Sequence, residues 1–92
     1  SKAGVIGFTR TLAREVGADN IQVNAIAPGS TLSEENPTEE IIRMRQTRIG
    51  DRALKRVQMP EDLLGTMLFL ASPLSDFMTG QTVCVDGGVA ML

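Results

Sequence analysis

Three groups of side chains in the 92-residue sequence have the type and spacing to do chemistry. The first is Lys2. On a helical wheel it falls on the apolar arc of residues 1–16, beside Thr9 and Ala13, where an ammonium needs a partner or a cleft unless it snorkels to solvent from a frayed end. The second is Pro28-Gly29-Ser30-Thr31, which directly follows an apolar run. Ligands of open α/β sheets bind beyond the carboxyl ends of the strands, where backbone groups and small hydroxyls can meet a cofactor. An ordinary strand-to-loop turn has the same composition. The third group is cationic: Arg43, Arg45, Arg48, Arg52, Lys55 and Arg56 are six of the nine Lys and Arg residues. On one continuing helix, Arg45, Arg48, Arg52 and Lys55 or Arg56 share a face that can attract a phosphate-bearing substrate, or stay solvated and ion-paired.

Other chemistries are excluded for this chain acting alone. It has no histidine, so no Ser-His-Asp or Cys-His pair and no imidazole metal ligand can be built from it. Its one cysteine, Cys84, cannot form an intrachain disulfide or a multi-cysteine zinc site, and no metal is expected. Placed mid-strand, Cys84 reads as a small hydrophobe, and the Asp86-Gly87-Gly88 sequence that follows as a turn. A net charge of −2 and 3% aromatic residues argue against a nucleic-acid partner. The longest nearly apolar run, residues 63–71, falls far short of the ~20 residues that cross a bilayer. No membrane partner is therefore expected, and a cytoplasmic location is.

These groups must be held by the elements around them. Val5, Ile6, Phe8, Thr9, Leu12, Ala13 and Val16 share one helical arc, which predicts an amphipathic helix over residues 1–16 stopped by Gly17 at C′. With no cap and staple before it, the helix is expected to start upstream of residue 1. Gly4, Gly7 and Thr11 leave a strip poor in side chains, suited to close approach by another helix. Ile21, Val23, Ala25 and Ala27 alternate with Gln22, Asn24 and Ile26, predicting a short strand that ends at Pro28-Gly29. Thr38 is the expected N-cap of a helix over 39–49 closed by Gly50. Pro60-Glu61-Asp62 opens another that runs to Ala71 and stops at Ser72-Pro73. That last helix is apolar nearly all round, so burial on more than one side is expected, the second side belonging to another subunit or to further sequence. Gln81–Asp86 reads as a second strand, and the helix-strand order points to a parallel sheet.

In order and spacing, four pieces resemble the short-chain dehydrogenase/reductase family: Ser1-Lys2-Ala3-Gly4-Val5, the run Asn20 to Gly29, Met59-Pro60-Glu61-Asp62, and Thr79-Gly80-Gln81-Thr82 with Val85-Asp86-Gly87-Gly88. The resemblance covers the whole chain except residues 30–58, a stretch that varies within the family because it shapes the substrate pocket.

The resemblance implies an α/β fold, the C-terminal part of a Rossmann-type doubly wound parallel sheet with two strands and about three helices. Residues 1–92 would be the C-terminal portion of one such domain. It implies that Lys2 is the lysine of the family's Tyr-x-x-x-Lys signature, with the tyrosine three residues before Ser1. The family lysine hydrogen-bonds the nicotinamide ribose and lowers the tyrosine's pKa, so that the phenol exchanges a proton with a carbonyl or alcohol. Pro28 and Gly29 match the loop beside the nicotinamide. By position, Thr31 corresponds to the residue whose backbone meets the carboxamide, and Ser33 to a nearby hydroxyl residue. The implied cofactor is NAD or NADP, and the implied substrate a small carbonyl or alcohol, as in 3-oxoacyl carrier-protein reductases or sugar and polyol dehydrogenases. The implied assembly is a homotetramer or dimer, with the Lys2 helix packed on its equivalent and the 60–71 helix in a second contact. These 92 residues alone are expected to be inactive. The competing reading is a non-catalytic oligomerisation or interaction fragment that works through the 60–71 helix.

Overall fold

The helix that carries Lys2 is capped within the chain. In the computed structural model, which describes residues 1–90, α1 spans Lys2–Val16, and the Ser1 hydroxyl accepts the Gly4 N–H at 3.2 Å. That bond satisfies one of the free N–H groups of the first turn. The other end differs from expectation. Gly17 is right-handed and opens a 3-10 turn over Gly17–Asp19. The left-handed residue is Asn20 (φ 60°), whose N–H returns to the Gly17 carbonyl.

The chain folds as two compact units, Ser1–Ala27 with Thr66–Val83, and Pro28–Gly65 with Cys84–Leu92. The α/β architecture is as expected. Strands β1 (Ala25–Pro28) and β2 (Thr82–Val85) form a two-stranded sheet. The bonds Ala25 N–H to Gln81 O and Gly29 N–H to Val85 O keep the same offset along both chains, which is the parallel register. Three helices accompany it: α1, α2 (Glu39–Gln46) and α3 (Glu61–Leu70).

In the first unit, Thr9 and Ala13 are the buried residues of α1, whereas Val5 and Phe8 of the same arc are 55% and 67% exposed. The predicted strand is shorter than its alternation, since Ile21–Asn24 lies outside it. β2 begins only at Thr82, so these residues have no strand to pair with, and the loop before β2 holds them instead. The Gln22 amide donates to the Ser75 and Met78 carbonyls, the Asn24 amide donates to Met78 O (3.1 Å), and Asn24 Oδ1 accepts the Gln81 N–H (3.1 Å). Gly80, left-handed at φ 72°, donates to Val23 O at 2.7 Å. Ser75, 1% exposed, shares its hydroxyl between the Leu70 and Ser72 carbonyls beyond the end of α3.

In the second unit, Thr38 caps α2 as its sequence predicts, its hydroxyl accepting the Ile41 N–H at 3.2 Å, with Glu39 and Glu40 at the positive end. The helix ends at Gln46 rather than Ile49, and Gly50 sits inside a second 3-10 turn, Ile49–Asp51. That break removes the continuous basic face expected over residues 45–56. α3 opens as a capping box half: the Asp62 carboxylate reaches back to accept the Met59 N–H at 2.8 Å. No residue of α3 is buried; Leu64, in the second unit, is 50% exposed, and Met67 and Leu68, which fall in the first, are 56% and 65% exposed. Nothing among the described residues buries this helix, in keeping with the expectation that its second side belongs to another subunit or to further sequence. Among the described residues, no helix is long and apolar enough to cross a membrane.

Candidate functional site

The turn after β1 is built by close approach. Gly29 is pinned by its N–H to Val85 O, and a methyl group in place of its hydrogen would lie 2.8 Å from Gln58 Oε1 and 3.0 Å from the Asp86 Cα. Its φ is not positive, so packing is what requires glycine here. Beyond it, the Thr31 hydroxyl donates to Gly29 O (2.9 Å), and Leu32 N–H donates to Gln58 O (2.8 Å) in a single parallel bridge between Thr31 and Gln58. In that pattern the partner strand engages the neighbours of Thr31, so the N–H and C=O of Thr31 itself face away from Gln58. Pro28 and Ser33 are exposed, and Gly29 and Thr31 half-buried.

Two arginines grip this turn. Arg45 donates to Ser30 Oγ at 3.1 Å and to Glu34 Oε1 at 2.8 Å, and its hydrogen bond and charge hold the Glu34 carboxyl below its ordinary pKa. Arg52, only 3% exposed, donates to the Ser30 and Arg56 carbonyls. Arg56 in turn makes a two-pronged bond to Asp62 at 2.8 and 2.7 Å. That hydrogen bond, with the Met59 N–H, lowers the Asp62 pKa to about 2, and Arg56 is raised by the same pairing. Lys55 donates to Gly50 O. Arg45 and Arg52 are thus turned inward, whereas Lys55 and Arg56 make their hydrogen bonds at the surface and remain exposed.

Of the residues singled out by sequence, the structure gathers Pro28, Gly29, Thr31 and Ser33 in one loop of the second unit. Lys2 stands on the first turn of α1 in the first unit, with its side chain exposed. Sequence reasoning missed the support of the loop: buried Arg52, Gln58 and Asp86. The Asp86 carboxylate accepts the Gly88, Val89 and Ala90 N–H groups, and Gln58 Nε2 donates to Val85 O at 2.7 Å. The one signal in the sequence was Asp86-Gly87-Gly88, whose two glycines have φ of 71° and 88°. Cys84 is a half-buried free thiol, and among the described residues no cluster of His, Cys, Asp or Glu can hold a metal.

The sequence matches the family described as "Enoyl-(Acyl carrier protein) reductase" over residues 1–90. It is 47% identical over 93 residues to the probable galactose dehydrogenase GalD of Rhizobium meliloti, covering 97% of this chain and 35% of that protein. To the 3-oxoacyl-(acyl-carrier-protein) reductase FabG of Thermotoga maritima it is 43% identical, covering 99% of this chain and 37% of the other. A crystal structure of a short chain dehydrogenase from Leptospira borgpetersenii with bound NAD+ superposes with a TM-score of 0.81 at 39% identity, covering 98% of this chain and 34% of that one. The chain thus spans about a third of the length of the curated relatives it matches.

Proposed function

From the premise that this chain belongs to the short-chain dehydrogenase/reductase family, we propose that the protein carrying it transfers hydride between a nicotinamide and a carbonyl or secondary alcohol. The observation that carries the proposal is the turn after β1: a tightly packed Gly29 followed by Thr31 with its peptide N–H and C=O facing away from their strand neighbour. The donor set fits the cofactor. A carboxamide presents one acceptor and two donors, and the Thr31 backbone offers the complementary donor and acceptor; the exposed Lys2 ammonium offers donors suited to ribose hydroxyls. The nicotinamide, when bound, supplies or accepts the hydride.

In this reading Pro28 and Gly29 set the approach of the backbone, Thr31 orients the carboxamide, and the Ser33 hydroxyl lies beside it. The charge of Lys2 holds the ribose and lowers the pKa of the tyrosine that the family signature pairs with it, so that a proton moves to or from the substrate oxygen as hydride moves at carbon. Residues 30–58 wall the substrate pocket, and residues 1–92 make up the C-terminal portion of one domain. The cofactor is NAD or NADP. The similarity to the GalD and FabG proteins supports a sugar, a polyol or a 3-oxoacyl thioester as substrate. The uncovered apolar residues of α3 and α1 support a homodimer or homotetramer. A cytoplasmic setting accords with the single unpaired thiol.

The test is turnover of the full-length protein followed at the nicotinamide absorbance band. NADH and NADPH are each paired with 3-oxoacyl thioesters and keto sugars, and NAD+ and NADP+ with sugars and polyols. Cofactor-dependent turnover with one of these classes is expected. Failure of every pairing, together with failure to bind either cofactor, would overturn the proposal.

A further inference from the structure

We propose that Arg45 and Arg52 are positioning residues that set the orientation of the Thr31 peptide by holding Ser30 at both of its oxygens. The inference rests on the reading of Thr31 as the residue that meets the carboxamide. Ser30 precedes Thr31, so the direction of the Thr31 N–H is set by the Ser30–Thr31 peptide plane. Arg52 Nη2 takes the carbonyl oxygen of that plane, and Arg45 Nη1 takes the Ser30 hydroxyl at 3.1 Å. A plane held at its oxygen and at the neighbouring side chain cannot rotate without breaking a charge-assisted bond.

Each arginine is itself braced. Arg45 is anchored on Glu34 at 2.8 Å. Arg52 has almost no exposure and donates its second Nη to Arg56 O at 2.9 Å, while the Arg56 guanidinium is locked on Asp62 in the first turn of α3. A continuous line of polar contacts therefore runs from the start of α3 through Asp62, Arg56 and Arg52 to Ser30 and the Thr31 backbone. Both guanidinium groups give a donor to Ser30, Arg45 to its hydroxyl and Arg52 to its carbonyl.

The experiment uses the full-length enzyme and three single variants, R45Q, S30A and E34Q, with the double variant S30A/R45Q. R52K and R52M form a second arm in case burial makes one of them fold poorly. For R45Q and S30A, kcat is expected to fall roughly 10- to 100-fold, the range that a small misplacement of reacting groups costs, with melting temperature and the dissociation constant of the cofactor near wild type. The double variant is expected to lose no more than the larger single loss, since both remove the same contact. R52K is expected to retain more kcat than R52M. Wild-type kcat in both R45Q and S30A, additive losses in the double variant, or a loss reproduced by E34Q and not by S30A would overturn the inference. A wild-type protein that neither binds nor turns over a nicotinamide would overturn the reading beneath it, a failure distinct from active wild type with indifferent variants.

Discussion

Lys2 and Gly29 carry the account at the scale of single residues, and they do different work. Lys2 is exposed on the first turn of α1, so Lys2→Ala removes a charge without opening a cavity. In the full-length protein this substitution is expected to lower kcat/KM by roughly 100-fold or more, the size of a lost proton-transfer contribution, with an unchanged melting temperature. Steady-state kinetics beside a thermal melt checks both halves. Gly29→Ala is expected to act on the fold, because the new methyl meets the Asp86 backbone at 3.0 Å. A loss of about 1–3 kcal/mol in denaturant unfolding is the expected cost of that overpacking. The Pro28-Gly29 turn was legible in the sequence because a Pro-Gly pair after a strand is a local signal. Arg52 was not. Its burial depends on carbonyls at Ser30 and Arg56 brought to it by the turn at Ile49–Asp51, and nothing in its own neighbourhood marks it as inward.

Among elements, the start of α2 was readable while the predicted glycine stops at Gly17 and Gly50 were not. Thr38 caps α2 as its hydroxyl and the following acids predict, and Thr38→Ala is expected to cost about 0.5–2 kcal/mol in chemical denaturation. The start of α3 carries a pH dependence. The Asp62 pKa is lowered to about 2 by its hydrogen bonds to Arg56 and to the Met59 N–H. A depressed carboxyl stabilises the fold fully above its ordinary value of 3.8, and that stabilisation is lost as pH falls from there through about 2. Melting temperatures recorded between pH 5 and pH 2 should therefore fall more steeply for wild type than for Asp62→Asn, and parallel curves would contradict the assignment. The strand over residues 21–24 was misread for a physical reason. Alternation reports which side chains face inward, whereas strand formation requires a partner, and Gln22 and Asn24 instead satisfy the loop at 75–81 through their amides. α2 ended earlier than its pattern, at Gln46, where Thr47 is the C-cap and its hydroxyl donates to Met44 O at 2.6 Å.

For the whole molecule, the uncovered apolar residues of α3 are the feature with the widest consequence. Leu64 and Leu68 lie one helical turn apart and are 50% and 65% exposed, a patch that soluble proteins usually cover. If it is covered by a second copy, as the proposed assembly requires, Leu64→Glu with Leu68→Glu should shift the full-length protein to a smaller species in sedimentation velocity. An unchanged sedimentation coefficient would remove α3 from the assembly. The apolar character of this helix was plain in the sequence, and so was its need for a cover from outside these residues; what supplies that cover was not, since composition shows what a helix needs covered and not what covers it.

The central claim is that these residues serve a nicotinamide. Calorimetric titration of the full-length protein with NADH and NADPH, in wild type and Lys2→Ala, tests it most directly. Saturable binding of at least one cofactor by wild type, weakened in the variant, is the predicted result; no binding by wild type, or equal affinity in the two proteins, would contradict it.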